Sequence, residues 1–257
     1  MPVIVLAKKY SSLEVNLSLE FDDGWVVLTR NNLEDNYQRL NGLGVEPEDL
    51  LQYYIDKSIY IDAFPEDVSK EYVVAVKDVE YDNLSNIKDS EVDLFAEEFE
   101  RAINSDNYDI YNHKSGYKFF WGQSTIQSYN ILVYYTVVNK RAYTFSFQFK
   151  NNITDADRKE VKKIIDSVDF GGNVLKIDTT EEKNSRSFWG KVLIGVAIGG
   201  LVGLFASLIF TKLKKKNSVD ETAIENEKKN VYINNMDSMS NDNSNNLNNS
   251  GSNNFYG

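Results

Sequence analysis

Residues 130–150, NILVYYTVVNKRAYTFSFQFK, contain two strand patterns and the turn between them. In the second half, aromatic residues alternate with Thr, Ser and Gln, which places every ring on one side of a strand. Asn139 and Lys140 separate the two patterns, and Asn tolerates the left-handed backbone that a two-residue turn requires. We therefore predict an antiparallel hairpin with one aromatic face against a core. The rings on that face are Tyr143, Phe145, Phe147 and Phe149.

Similar strand patterns precede this hairpin. Residues 14–20 and 25–29 flank an Asp-Asp-Gly turn, so we predict that they pair as a second hairpin. Both segments have apolar residues at alternate positions, as a strand with one buried face requires. Further strands are predicted at residues 59–64, 71–79 and 116–123.

Three segments with apolar residues at helical spacing lie between or after the strands. The first is predicted near Pro47, and the second at Asp89 or Ser90. The third opens at Thr154, which together with Asp157 resembles a capping box. Strands cluster rather than alternate strictly with helices. The predicted fold class is therefore α+β, with a mainly antiparallel sheet packed with helices.

The end of this region resembles PsbP-like and DcrB-like domains. In those domains a last antiparallel strand leads into an amphipathic helix. The same order is predicted here, with strands at residues 134–138 and 141–149 followed by a helix at residues 153–168. The Phe-Asp-Asp-Gly-Trp stretch at residues 21–25 is similar to their strand–turn–Trp opening. The resemblance covers residues 13–170 and implies an α/β/α sandwich, exported in bacteria and used in binding or assembly rather than catalysis. This chain departs from the family by its C-terminal apolar segment and by lacking a lipid-bearing Cys, and no functional residue is carried over.

An uncharged apolar run occupies residues 192–210. At about 1.5 Å per residue, a helix of this length spans roughly 28 Å, close to the hydrocarbon thickness of a bilayer. We therefore predict one transmembrane helix in contact with the lipid bilayer, rather than a core helix of a larger globular fold. Membrane-flanking roles are predicted for Trp189, Lys191, Lys212, Lys214, Lys215 and Lys216.

The basic residues at the two ends of this run favour one topology. Four of the five residues 212–216 are Lys, whereas the other flank has Lys183, Arg186 and Lys191. Lys and Arg near a membrane helix mark the cytoplasmic side. We therefore predict a cell-membrane protein with its domain outside and its C-terminal tail in the cytoplasm. Since the margin is one residue, the reverse topology, with a cytoplasmic domain, is the alternative.

The start of the chain fits two interpretations, because an exported domain needs a signal. Residues 3–7 followed by two Lys read like the end of a signal peptide, with Ala7 at the cleavage position. Alternatively, residues 3–6 begin the first strand of the domain. Residues 1–12 are therefore predicted as a signal-peptide remnant or as a first strand.

Small residues recur at every fourth position of the apolar run. Such a stripe occupies one helix face, where two helices can approach closely in lipid. We predict that the helix self-associates as a transmembrane dimer, or contacts another protein, through Gly195, Gly199, Gly203 and Ser207.

The composition restricts the chemistry of the domain. A formal net charge of −11 disfavours nucleic acid as a partner, because that binding depends on Lys and Arg neutralising phosphates. The chain has no Cys and one His, which excludes a cysteine nucleophile and a two-histidine zinc site. We expect His113 at the surface or in a loop, and Asp93, Glu97 and Glu100 on a solvated helix face. No catalytic residue, cofactor or metal ligand is predicted, and an unrecognised hydrolase is the alternative.

These predictions divide the chain into five parts. The soluble α+β domain covers residues 13–178, and a linker covers residues 179–191. After the helix at residues 192–210 comes a basic stop-transfer stretch with an Asn-rich tail, residues 211–257, which is too polar to fold. The predicted function is a single-pass membrane-anchored protein with an extracytoplasmic, non-catalytic binding or assembly domain.

Overall fold

The computed structural model describes residues 7–105, 107–126 and 128–171, together with Trp189, Val192 and Leu193. Most of the predicted transmembrane segment, its lysine flank and the tail therefore lie outside the described residues. In the described part of the chain, no helix is long and apolar enough to cross a membrane.

Nine strands lie within the described residues. They are β1 (Ala7–Ser12), β2 (Leu17–Asp22), β3 (Trp25–Leu28), β4 (Ile59–Pro65), β5 (Lys70–Asp78), β6 (Tyr108–Asn112), β7 (Lys118–Ile126), β8 (Tyr129–Val138) and β9 (Arg141–Phe149). The first two form a separate hairpin, and the other seven form one antiparallel sheet in the order β3-β4-β5-β9-β8-β7-β6. The prediction of an α+β fold with a mainly antiparallel sheet is confirmed.

Four α-helices accompany the strands in the described part. They are α1 (Tyr37–Gly42), α2 (Pro47–Asp56), α3 (Asp89–Ile103) and α4 (Asp155–Asp166). The predicted capping box of α4 is present, because the Asp157 amide donates to Thr154 Oγ1 at 3.2 Å and Asp157 Oδ2 accepts from the Thr154 amide at 3.0 Å. Lys88, rather than Asp89 or Ser90, is the N-cap of α3.

The predicted β8–β9 hairpin forms as the sequence indicates. Asn139 and Lys140 both have positive φ, 53° and 62°, as a two-residue turn of this kind requires. The ladder runs from Val138 opposite Arg141 to Asn130 opposite Phe149. All four predicted aromatic residues of β9 are buried in one core cluster.

The two faces of the sheet carry separate cores. On the first, here called the α4 face, the aromatic residues of β9 pack with Ile165 of α4 and with Leu19 and Phe21 of β2. On the second, the α3 face, Phe95 of α3 packs edge-on against Phe120 of β7 with ring centroids 4.4 Å apart. Helices therefore lie on both sides of the sheet.

The predicted pairing of the first two strands is wrong. β2 pairs with β1, and β3 pairs with β4. Gly24, with φ of 92°, turns the chain between them from the outer hairpin into the main sheet. Phe21 and Trp25 still pack together across the two layers, with ring centroids 5.5 Å apart and an angle of 33° between the rings. The apolar side chains of β2 cover the α4 face instead of extending the sheet.

Gly122 of β7 lies where the end of α3 comes closest to the sheet. A Cβ added at this position would lie 2.6 Å from Ile103 Cδ1 and 2.9 Å from the Asn107 carbonyl oxygen. Both distances are shorter than ordinary van der Waals contact, and one involves backbone. The close approach of α3 and its following loop therefore depends on glycine here.

We expect Gly122→Ala to lower the free energy of unfolding by about 1–3 kcal/mol, because the added methyl group overpacks this contact. Gly42→Ala is the matched control: no atom lies within 4 Å of the added Cβ. Because Ala favours helix over Gly, this control should be neutral or stabilising by up to about 1 kcal/mol. Urea denaturation followed by tryptophan fluorescence measures both, and equal effects would contradict the close approach.

Candidate functional site

A cleft of about 600 Å³ lies where the α3–β6 loop passes the outer edge of β7. We call it the edge cleft. Its lining includes Asn104 and Asn107 of the loop, Trp121 and Thr125 of β7, and Arg158 of α4. Ser124 fixes the loop beside the strand, since its hydroxyl donates to the Asn104 carbonyl at 3.1 Å.

The strand edge in this cleft is open on one side. The β6–β7 ladder ends with Tyr108 opposite Gly122, whereas the β7–β8 ladder continues to Ile126 opposite Tyr129. Within the described residues, positions 123–126 therefore have a neighbouring strand on one side only. Such an edge presents backbone donors and acceptors to an added strand.

Aromatic and charged side chains surround the open edge. Trp121 is partly exposed and stacks on Tyr134 with ring centroids 5.6 Å apart and an angle of 12° between the rings. The Arg158 guanidinium donates to Gln123 Oε1 at 2.8 Å, and Asp109 lies on the opposite strand of the cleft. The cleft thus combines a flat aromatic surface with one charge of each sign.

A second depression, of about 310 Å³, shares Trp121 and Arg158 with the edge cleft. Two residues of its lining, Lys162 and Tyr111, bond to each other and to the neighbouring Asp166. Lys162 Nζ donates to Tyr111 Oη at 3.1 Å and to Asp166 Oδ2 at 2.8 Å, and Tyr111 Oη donates to Asp166. Desolvation opposes ionisation of Asp166, but the hydrogen bonds from Lys162 and Tyr111 outweigh it and lower the pKa of this carboxyl group. Asp166 is therefore held as an ion-paired carboxylate.

His113 lies in the loop between β6 and β7, as the sequence suggests, but it is buried rather than at the surface. Its Nδ1 accepts from the Ser115 amide at 3.1 Å, so Nε2 carries the proton and donates to the Asp166 carbonyl at 3.2 Å. Both ring nitrogens tie the loop to the end of α4. This histidine has a structural role.

Asp62 of β4 is a buried carboxylate on the α3 face. Tyr54 of α2 donates to its Oδ2 at 2.8 Å. Desolvation by burial raises the pKa of Asp62 to about 7, and the hydrogen bond from Tyr54 offsets only part of this effect. Since Tyr54 is also fully buried, the pair lies beneath α2 and is closed to a substrate.

The acidic residues of α3 do not converge on a cation. Glu98 is largely buried, and both of its carboxylate oxygens accept from Arg101 Nη1 at 2.8 Å. Across the described residues, no three His, Asp or Glu side chains are grouped closely enough to share a metal ion.

Of the side chains predicted to act at the membrane, the structure describes Trp189. It is fully buried and packs on Tyr81 and Phe95, with ring centroids 4.9 and 5.2 Å away. Its role at a bilayer stays a prediction. The remaining predicted positions lie outside the described residues: Lys191, Gly195, Gly199, Gly203, Ser207, Lys212, Lys214, Lys215 and Lys216.

No protein-family model and no curated protein matches the sequence. The structure is similar to the solution structure of cyanobacterial PsbP from Synechocystis sp. PCC 6803, with 10% identity and a TM-score of 0.42, over 65% of this chain and 94% of that chain. It is also similar to a crystal structure from Bacteroides thetaiotaomicron VPI-5482, with 12% identity and a TM-score of 0.39, over 63% of this chain and 47% of that one. The predicted PsbP-like resemblance is confirmed as a weak likeness of fold alone. The DcrB-like resemblance stays a prediction.

Asp62→Asn is expected to stabilise the protein at pH 8 and to have little effect near pH 4. The folded-state pKa of about 7 exceeds the value of about 3.9 for an exposed Asp, so the folded state retains a proton that the unfolded state releases. The stability from this group is complete below about pH 4 and is lost as the pH rises through about 7. The free energy of unfolding of the variant relative to wild type should therefore rise by roughly 1.4 kcal/mol per pH unit across this window.

The measurement is urea denaturation at a series of pH values. Asp23→Asn, which replaces an exposed carboxylate, is the control. The same pH trend in both variants would show that the effect does not originate at Asp62.

Proposed function

We propose that this protein is a single-pass membrane-anchored protein whose extracytoplasmic domain serves binding or assembly rather than catalysis. In this proposal the domain takes up an extended segment of a partner protein at the edge cleft. The observation that carries it is the open edge of β7 at positions 123–126, next to a cleft of about 600 Å³. The anchor and its orientation rest on the apolar run and the lysines that follow it.

The geometry of the edge favours strand addition. A partner segment that continues the line of β6 would pair with β7 over about 13 Å, at roughly 3.3 Å per residue. Backbone hydrogen bonds along such a pair supply affinity, and pockets for alternate side chains supply specificity. The open cleft beside β7 provides the space for those side chains.

The side chains around the cleft indicate the chemistry of the partner. Trp121 offers a partly exposed aromatic surface on which an apolar or aromatic side chain can pack. Arg158 bonds to the neutral Gln123, and a carboxylate is a stronger acceptor for a guanidinium than an amide is. We therefore expect the partner segment to alternate in side-chain type. Its apolar residue packs on Trp121, and its acidic residue lies within reach of Arg158.

The polar groups beside the cleft support binding over hydrolysis. Lys162, Asp166 and Tyr111 satisfy one another, and His113 uses both ring nitrogens to hold a loop. General acid–base chemistry needs a group that is free to exchange a proton with substrate. These groups instead fix the position of α4 against the sheet.

A photo-crosslinking amino acid at Thr125, which is exposed in the cleft, tests the proposed function in intact cells expressing the full chain. We expect an adduct with a partner protein, and a several-fold lower yield when Arg158→Ala is added. The same crosslinker at Gln52, exposed on α2, is the control and should give no such adduct. Equal adducts at both positions, or none at Thr125, would contradict binding at the edge cleft.

Protease treatment of intact cells tests the topology. If the domain lies outside, added protease should remove an epitope inserted between β1 and β2 at Leu13, which is 89% exposed. A C-terminal epitope should be retained. Permeabilised cells are the control for protease activity at both epitopes. Protection of the Leu13 epitope together with loss of the C-terminal one would establish the reverse topology.

A further inference from the structure

Three residues lie side by side across the part of the sheet that borders the edge cleft. Trp121 of β7 pairs with Asp109 of β6 on one side and with Tyr134 of β8 on the other. Residues that are directly opposite on neighbouring strands share a face, with their Cβ atoms about 4.5–5.5 Å apart. Since Tyr134 stacks on one face of the indole, the other face is turned toward Asp109.

The space between Trp121 and Asp109, here called the indole slot, is open to solvent. Both residues line the edge cleft and also the second depression, so the slot joins the two. Asp109 is exposed, and Trp121 is partly exposed. A ligand group can therefore reach the indole face and the carboxylate at the same time.

The carboxylate of Asp109 keeps most of its capacity to accept hydrogen bonds. Its Oδ1 accepts from the Ile110 amide at 2.7 Å, and it forms no ion pair within the part of the chain that the structure describes. The basic residues of α4 beside the slot bond elsewhere: Arg158 donates to Gln123 at 2.8 Å, and Lys162 is paired within its own helix. An ionised carboxylate offers several further acceptor sites, which a cation from outside can use.

Elsewhere in the domain, an indole and a carboxylate share one cation. Lys70 Nζ lies 5.6 Å from the centroid of the Trp25 ring and 2.5 Å from Glu160 Oε2. The indole slot offers the same two groups, but no Lys or Arg head group among the described residues lies over the Trp121 ring. Because the face of an indole attracts cations, as a carboxylate does, the slot has the chemistry of a site for an ammonium or guanidinium group.

We propose that the indole slot binds the charged end of a Lys or Arg side chain in the partner segment. The inference rests on the proposed function and refines it. The apolar part that packs on Trp121 is the methylene stem of this residue, and its head group lies next to Asp109. Long basic side chains pack in this way, with the stem along an apolar surface and the charge among polar groups. The slot thus selects a cationic residue over an apolar one of the same length.

The open edge of β7 gives the position of this basic residue. Gln123 and Thr125 share a face with Trp121, so a segment that continues the line of β6 has its side chains on that face opposite these two residues. A residue opposite Gln123 is diagonal to Trp121 at about 7–8 Å, a distance that a long side chain spans. The residue opposite Thr125 is diagonal to Gln123, which bonds to Arg158. An antiparallel segment therefore carries the motif acidic–x–basic.

Two small probes separate the charge from the stem: acetyl-lysine methylamide and acetyl-norleucine methylamide, which lacks the ammonium group. Each is titrated into the full chain in nonionic detergent micelles. The indole N–H signal of Trp121 is followed by NMR and assigned with Trp121→Phe. We expect at least about fivefold tighter binding of the lysine probe, because the cation–indole contact and the exposed ion pair both favour it.

Asp109→Asn should remove this preference, because the amide keeps the shape of the side chain and loses its charge. Asp23→Asn is the matched control, since it replaces an exposed carboxylate next to β3, at the other edge of the sheet. This control should keep the preference. Equal affinities of the two probes, an unchanged Trp121 signal, or a preference that survives in Asp109→Asn would overturn the indole slot.

The photo-crosslinker at Thr125 in intact cells distinguishes this inference from the proposed function. A several-fold lower adduct yield in Asp109→Asn, with no change in Asp23→Asn, supports a basic residue in the partner segment. An unchanged yield in Asp109→Asn refutes that residue and leaves strand addition standing. A probe preference without any adduct at Thr125 supports the slot as a cation site and refutes binding of a partner segment.

Discussion

The burial of β9 on both faces is the constraint on which the rest of the structure depends. This strand lies between β5 and β8, and its aromatic side chains fill the core of the α4 face. Its alternate residues, Thr144, Ser146 and Gln148, are equally buried on the other side. A strand with rings on one face and polar groups on the other would normally leave the polar face in water. Here both faces need a cover, and this requirement explains the layers of helix on each side.

The parts of the fold that local patterns specify could be predicted from the sequence. Alternation in β9, the Asn139-Lys140 turn and the capping box at Thr154 each depend on residues close together in the chain, and all three are confirmed. The pairing of β2 with β1 instead of β3 depends on which surface the apolar side chains of β2 cover. Tertiary packing therefore decides which strand pairs with β2, and a turn signal at Gly24 does not determine it.

The candidate site was harder to predict than the fold. β6 has only five residues, and no alternation of apolar and polar types distinguishes it from a loop. The open edge arises because β6 stops at Tyr108 while β7 continues to Ile126. This mismatch of lengths appears only once both strands are paired. Arg158 reaches the cleft from α4, 35 residues away from its partner Gln123 in sequence, so no spacing rule connects them.

Trp189 shows why hydropathy alone does not distinguish a bilayer from a protein core. Both environments remove apolar surface from water, so a Trp followed by an apolar run fits either. What separates them is the surface that competes for the run, and the α3 face supplies such a surface where Tyr135 binds the Val192 carbonyl. A ligand can shift an equilibrium only by its difference in affinity for the two states. The partition of the run between this face and a bilayer therefore depends on the difference between the free energies of burial in the two, which its hydropathy does not give.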